Sequence, residues 1–150
     1  MSPAPSVPHF GCTCARLRRL ARRMTRIYDA HLAPQSIKVT QYSLLANAAR
    51  GERTVSEFAA ELEMDRSTLS RNLAPLAAQG WVSISIGADP RCRSIGVTAA
   101  GRRKLKAALP LWRKAQCEVE SILGAAGVGA LHRNIERALA ALPTPSGKRT

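Results

Sequence analysis

The chain has 150 residues, with 23 Lys and Arg against 10 Asp and Glu and a formal net charge of +13. Hydrophobic residues make up 45% and charged residues 22%, a globular balance with enough chain to bury one core. No apolar run approaches the ~18 residues of a membrane span, and Met1 to Cys14 lacks the basic and apolar regions of a signal peptide. Membrane, secreted and multidomain-enzyme classes therefore fall away. A small, basic, cytoplasmic domain attracted to a polyanion is expected.

The four cysteines, Cys12, Cys14, Cys92 and Cys117, are expected to be reduced at rest. Cys12-Thr13-Cys14 is not a zinc-ligand spacing, and His9, His31 and His132 are scattered, so neither a metal site nor a cofactor is expected. Positive charge is spread unevenly: residues 1–53 hold 9 basic and 2 acidic residues, 54–101 hold 4 and 5, and 102–150 hold 10 and 3. Charge alone marks an attraction to phosphate but no base-reading surface.

In chain order, residues 1–11 contain three prolines and read as a flexible arm. Over 12–32 a helical stripe of Cys14, Leu17, Ala21, Met24 and Tyr28 steps by three and four, with the arginines mainly off it and Pro34 ending the segment. A short helix is expected over 40–50, with Leu44, Leu45 and Ala48 inward and Gly51 as its stop. Thr54-Val55-Ser56-Glu57 is a capping box opening a helix to about Leu62. After a break at Glu63-Met64, Asp65 caps a helix that ends near Gly80 and turns Leu69, Leu73 and Leu76 inward. Pro75 within it removes a backbone donor, so a local bend rather than a break is expected. Residues 81–86 alternate with period two, 87–93 form a polar turn, and 94–98 alternate again with Ile95 and Val97 on one face. A long helix is expected over 99–123, carrying Leu105, Leu109, Trp112, Val119 and Ile122. Gly124, Gly127 and Gly129 then interrupt before a last helix over 130–142 and a flexible tail.

A helix, a short turn, a helix and a two-stranded hairpin, in that order, make a winged helix-turn-helix. The expected fold is mainly α with a small β-hairpin, plus a helical dimerisation region. The helix after Asp65 presents Arg66, Ser67, Thr68, Ser70, Arg71 and Asn72 outward, small polar and basic groups that fit base edges in a major groove. The hairpin tip offers Arg91 and Arg93, long enough for a minor groove or its phosphates. The terminal helices carry apolar stripes with no internal partner large enough to cover them. A second copy would cover them and set two recognition helices about one DNA turn apart.

The sequence resembles the MarR family of bacterial transcription regulators. The resemblance is carried by Asp65-Arg66-Ser67-Thr68-Leu69-Ser70-Arg71, Gln79-Gly80-Trp81-Val82, Asp89-Pro90-Arg91-Cys92-Arg93 and Val97-Thr98-Ala99-Ala100-Gly101. It covers residues 12–142 as one domain, with the winged helix-turn-helix over about 40–98 and dimerisation helices over about 12–32 and 99–142. It implies a homodimer with intertwined terminal helices on a palindromic operator in double-stranded DNA. It also implies Arg91 in the minor groove and Asp89 orienting the wing.

Cys14 lies near the start of the first helix beside Arg16 and Arg18, a setting that favours the thiolate. The spacing looks like the organic-hydroperoxide-sensing branch of the family. That resemblance implies Cys14 as the reactive thiol, Tyr28 as one of two tyrosines bonded to it, and Cys117 as the resolving cysteine of an intersubunit disulfide. Val39 stands where the second tyrosine would be, and Cys12 is an extra thiol. Control by a small aromatic or anionic ligand between the dimer helices and the DNA-binding lobe is the alternative, followed by metal or electrophile capture at Cys12, Cys14 and Cys117. No nucleophile–base pair or phosphate loop supports an enzyme. A winged-helix protein-interaction module is the remaining rival.

Overall fold

The computed structural model describes residues 11–86 and 92–144, which form six α-helices and one small sheet. Helix α1 spans Thr13–Leu32 and α2 spans Val39–Ala48, joined by a 3-10 turn at Ala33–Gln35 that Pro34 helps to open. Asp29, near the end of α1, accepts the Val39 N–H at 2.8 Å and faces Lys38 at 3.5 Å, so α1 fixes where α2 begins. The second helix stops short of the expected Arg50. The Arg50 N–H folds back onto the Asn47 carbonyl at 3.2 Å, making a tight turn before Gly51.

The Thr54 capping box forms as its sequence predicts. The Glu57 N–H donates to Thr54 Oγ1 at 3.1 Å, and the Thr54 N–H donates to the Glu57 carboxylate at 2.8 Å. It opens α3, Val55–Glu61, whose Phe58 is 1% exposed. The break at Glu63-Met64 is a tight turn in which Glu63 takes φ 52 and the Met64 N–H reaches the Ala59 carbonyl at 2.8 Å. Helix α4, Arg66–Ala78, follows with Asp65 as N-cap and continues through Pro75. Its Leu69, Leu73 and Leu76 are fully buried, three leucines at helical spacing that hold one face of α4 in the core.

The hairpin of β2, Val82–Ile86, and β3, Arg93–Val97, pairs antiparallel with Ile84 opposite Ile95. The sheet has three strands rather than the expected two. A two-residue strand β1, Arg53–Thr54, pairs with β3 on its other edge, in the order β1-β3-β2. Two residues carry no readable period, so the sequence hides this strand behind the capping box. Arg53 explains its placement. Its guanidinium donates to the Glu61 carboxylate and the Asn47 carbonyl and sits 5.0 Å from the Phe58 ring centroid, tying α2, α3 and the sheet together. Trp81 is a buried bend residue before β2, not its first residue, and β3 begins one residue earlier than expected, at Arg93. Only Val82 and Ile95 of the hairpin enter the core. Ile84 and Ile86 project past it, as a wing should.

Helix α5, Ala99–Leu123, runs unbroken through Pro110, and α6 spans Ala125–Ala141. The last helix therefore starts five residues before the expected Ala130. Gly124 alone interrupts, at φ 73 and ψ 151, a backbone state that only glycine adopts without strain. Gly127 and Gly129 are helical because this turn of α6 packs on α5 and buries Val128, which offsets their poor helix propensity. Ile122, expected inward, is 63% exposed, since α5 reaches beyond the core of this one chain.

The core joins α2, α3, α4, the sheet and the first half of α5, and α5 runs back along α1. The Tyr28 hydroxyl donates to Gln116 Oε1, the Tyr28 ring lies 6.3 Å from that of Trp112, and Lys104 Nζ donates to the Gln35 carbonyl at 3.0 Å. No helix among the described residues is long and apolar enough to cross a membrane.

Candidate nucleic-acid interface

The start of α4 is built by one carboxylate. Asp65 accepts from the Thr68 N–H at 2.7 Å, from Thr68 Oγ1 at 2.6 Å and from Ser67 Oγ at 2.6 Å. These three donors, the Ser67 hydroxyl first, hold its pKa well below the usual carboxylate range. The Ser67 and Thr68 hydroxyl protons are thus spent within the protein, and their outward lone pairs are left as acceptors. Arg71 adds a longer contact, Nη2 to Thr68 Oγ1 at 3.4 Å.

A group whose folded-state pKa is depressed contributes stability above its unfolded value, about 3.9, and loses it as pH falls toward the folded value. Asp65→Asn, which keeps a capping oxygen, is therefore expected to melt below the parent at pH 7, where the carboxylate contributes in full. The gap should narrow as pH is lowered through about 3.9 and still be open at pH 3, where the folded carboxylate remains ionised. Equal melting temperatures at both pH values, followed by circular dichroism, would contradict this role.

Arg66, Ser67, Ser70, Arg71 and Asn72 are exposed on α4 and Thr68 is half-buried. All six sequence-selected residues of the helix therefore lie outside its buried leucine face. Arg66, Ser70 and Asn72 make no side-chain hydrogen bond among the described residues. Arg93 is exposed at the start of β3. Asp89 and Arg91 lie outside the described residues.

Sequence reasoning missed a cleft of about 540 Å³ beside this surface, between α4 and the start of α2. Lys38, Gln41, Asn47, Arg71, Asn72 and Pro75 contribute to its lining. Only the packing of α2 on α4 creates it, so no local signal announces it.

The sulfur groups are dispersed. Cys12, Cys14, Cys92 and Cys117 are all free thiols on exposed residues. Cys14 is the second residue of α1 and lies about 21 Å along that helix from Tyr28. Tyr28 instead bonds Gln116, the neighbour of Cys117, and burial together with the Glu120 carboxylate pushes its hydroxyl pKa up. Within one protomer, then, Cys14 reaches neither Tyr28 nor Cys117. No cluster of three or more potential metal ligands occurs among the described residues.

The order of elements, the capped and outward-polar α4 and the projecting strand pair define a winged helix-turn-helix DNA-binding protein. The MarR family model matches residues 35–90. The transcriptional regulator MosR of M. tuberculosis, solved in complex with DNA, is 39% identical with a TM-score of 0.76, covering 87% of this chain and 98% of that one. A second MosR structure is 36% identical with a TM-score of 0.71, covering 89% and 98%. MarR from E. coli complexed with operator DNA shares the fold at 24% identity and a TM-score of 0.73, covering 83% and 92%. No curated protein sequence matches the chain. The chain belongs to the MarR family of DNA-binding transcriptional regulators.

Proposed function

We propose that this protein is a cytoplasmic homodimeric repressor that grips a palindromic operator and releases it when its cysteines are oxidised. One observation carries the DNA-binding half: the exposed face of α4, where Arg66, Ser70, Arg71 and Asn72 stand outward from a helix locked on three buried leucines. In this reading α4 lies in the major groove, with Arg93 and Arg91 of the wing reaching the adjacent minor groove. Asp89 orients the wing.

The dimer is supported by an open apolar groove of about 400 Å³ between α1, α5 and α6, lined in part by Leu17, Leu20, Met24, Val119, Val128 and Ile135. Beside it, Ile122, Leu139 and Leu142 are 63%, 54% and 64% exposed, which extends the apolar surface beyond the groove. A second copy covers both, since each protomer supplies a groove and a stripe.

Cys14 and Cys117 then meet only across the subunit boundary, and Tyr28 of one protomer lies near Cys14 of the other. A peroxide oxidises Cys14 to the sulfenic acid, and the Cys117 thiolate displaces hydroxide to form the disulfide. The crosslink favours a spacing of the recognition helices that does not match adjacent grooves, which weakens binding.

Retardation of DNA from its own promoter region, with steep salt dependence, separates a regulator from a protein-interaction module. Mild peroxide is expected to give a disulfide-linked dimer on a non-reducing gel, with loss of retardation that reductant restores. Cys14→Ser and Cys117→Ser should each abolish the dimer band. Survival of that band in both variants, or oxidation confined to Cys12 and Cys14 of one chain by mass spectrometry, overturns the assignment. Retardation abolished by a small aromatic acid but not by peroxide would favour ligand control.

A further inference from the structure

The charge of this molecule sits where its base-reading surface does not. Residues 33–98, the winged-helix lobe, hold 7 Lys and Arg against 6 Asp and Glu. Residues 12–32 and 99–142, the three long helices, hold 14 against 4. A lobe that served only to dimerise would be penalised for this, because two copies bring like charges together.

The excess is most concentrated on α1, which has six arginines and no lysine. Arg18, Arg19, Arg22, Arg23 and Arg26 are all exposed, and none has a carboxylate partner among the described residues. At 3.6 residues per turn they fall within about 140° of arc, opposite the face that carries Leu20, Met24 and Tyr28. Along the axis they span about 12 Å, a mean spacing of about 3 Å, close to the ~3.4 Å between phosphates along one strand of a DNA duplex. Guanidinium is also the cation whose planar fork fits phosphate oxygens.

We propose that the arginine face of α1 is a second, sequence-independent binding surface for duplex DNA, separate from the recognition helix. α1 packs chiefly on α5, while α4 packs on α2, α3 and β2, so the two surfaces belong to different parts of the molecule. A second copy of the chain supplies few anions for five arginines. Of the four acids on its helical lobe, Asp29 already faces Lys38, Glu118 faces His31 and Glu120 accepts from Gln116, which leaves Glu136. An anionic membrane fits less well, because the apolar side of α1 lines the groove shared with α5 and α6 and so faces away from the arginines.

The test titrates the full chain into a labelled random-sequence duplex of about 30 base pairs across a salt series, read by fluorescence anisotropy. One variant combines Arg18→Gln, Arg19→Gln, Arg22→Gln, Arg23→Gln and Arg26→Gln, all exposed positions where glutamine keeps a good helix former. A control of equal net charge replaces Arg102, Arg103, Lys106, Arg113 and Lys114 of α5 with Gln. The α1 variant is expected to lose at least about tenfold in affinity, with a salt slope shallower by about 0.9 for each phosphate contact removed. The α5 control should lose clearly less. Arg71→Ala should keep its affinity for random duplex while losing operator preference, which keeps a failure of either surface distinguishable from a failure of the other. Equal losses in the α1 and α5 variants would reduce the effect to bulk charge and overturn the proposal. So would unchanged DNA binding, a loss that follows weakened self-association in sedimentation, or a loss seen on vesicles of anionic lipid and not on DNA.

Discussion

Arg71→Ala is expected to weaken binding to operator DNA by about 5- to 150-fold, the ~1–3 kcal/mol of one good bidentate base contact. Arg71 stands on the exposed face of α4, nearly two turns beyond the Asp65 cap, and its only side-chain hydrogen bond among the described residues is the long one to Thr68. Nothing internal competes strongly for its guanidinium. Alanine is the best helix former, and the deleted side chain leaves no cavity, so the variant should melt like the parent. Anisotropy at one fixed salt concentration gives the affinity. A salt series then tells a base contact from a phosphate contact. Loss of sequence discrimination with an unchanged slope marks base reading, whereas a uniform loss with a slope smaller by about 1 marks a phosphate. Unchanged affinity would remove α4 from the interface.

What the sequence made legible, it did through local rules. The Thr54 box, the Asp65 cap and the Leu69, Leu73 and Leu76 spacing each need only a few neighbouring residues, and each appears in the structure as expected. The misses all involve partners distant in sequence. β1 exists because Arg53 meets Glu61 and β3, and α6 starts early because Val128 packs against α5. Asp29 starts α2 from ten residues away. The polar face of α4 was readable because a helix surface follows from periodicity alone. The proposed pairing of Cys14 with Cys117 rests on the family resemblance alone, since the two are separate free thiols within one chain.

Gly101→Ala should be the most damaging single-carbon change in the protein. A Cβ at Gly101 would lie 2.1 Å from the Trp81 carbonyl oxygen and 2.8 Å from a Val97 methyl, and the first of these is backbone that no rotamer change moves. That carbonyl is pinned in turn, accepting from the Thr98 N–H at 3.1 Å, while Thr98 Oγ1 donates to the neighbouring Gly80 carbonyl at 2.5 Å. Thr98 Oγ1 also accepts the Gly101 N–H at 3.0 Å, as the cap of α5. The Thr-x-x-Gly pattern is thus one device: threonine caps the helix, and glycine lets that helix close onto the root of the wing. Alanine must push α5 away from β2 and β3, at a cost of about 3 kcal/mol, or of the order of 10 °C in Tm. Gly127→Ala provides the contrast. Its added carbon would meet only the Leu123 Cβ at an ordinary 3.6 Å, within a helix where alanine is favoured over glycine by up to about 1 kcal/mol. Thermal melting of both variants should therefore move in opposite directions. Because Trp81 joins α4 to the wing, Gly101→Ala should also weaken DNA binding at temperatures where the chain remains folded. A Gly101→Ala protein that melts with the parent would mean that α5 does not press on Trp81 as the geometry requires.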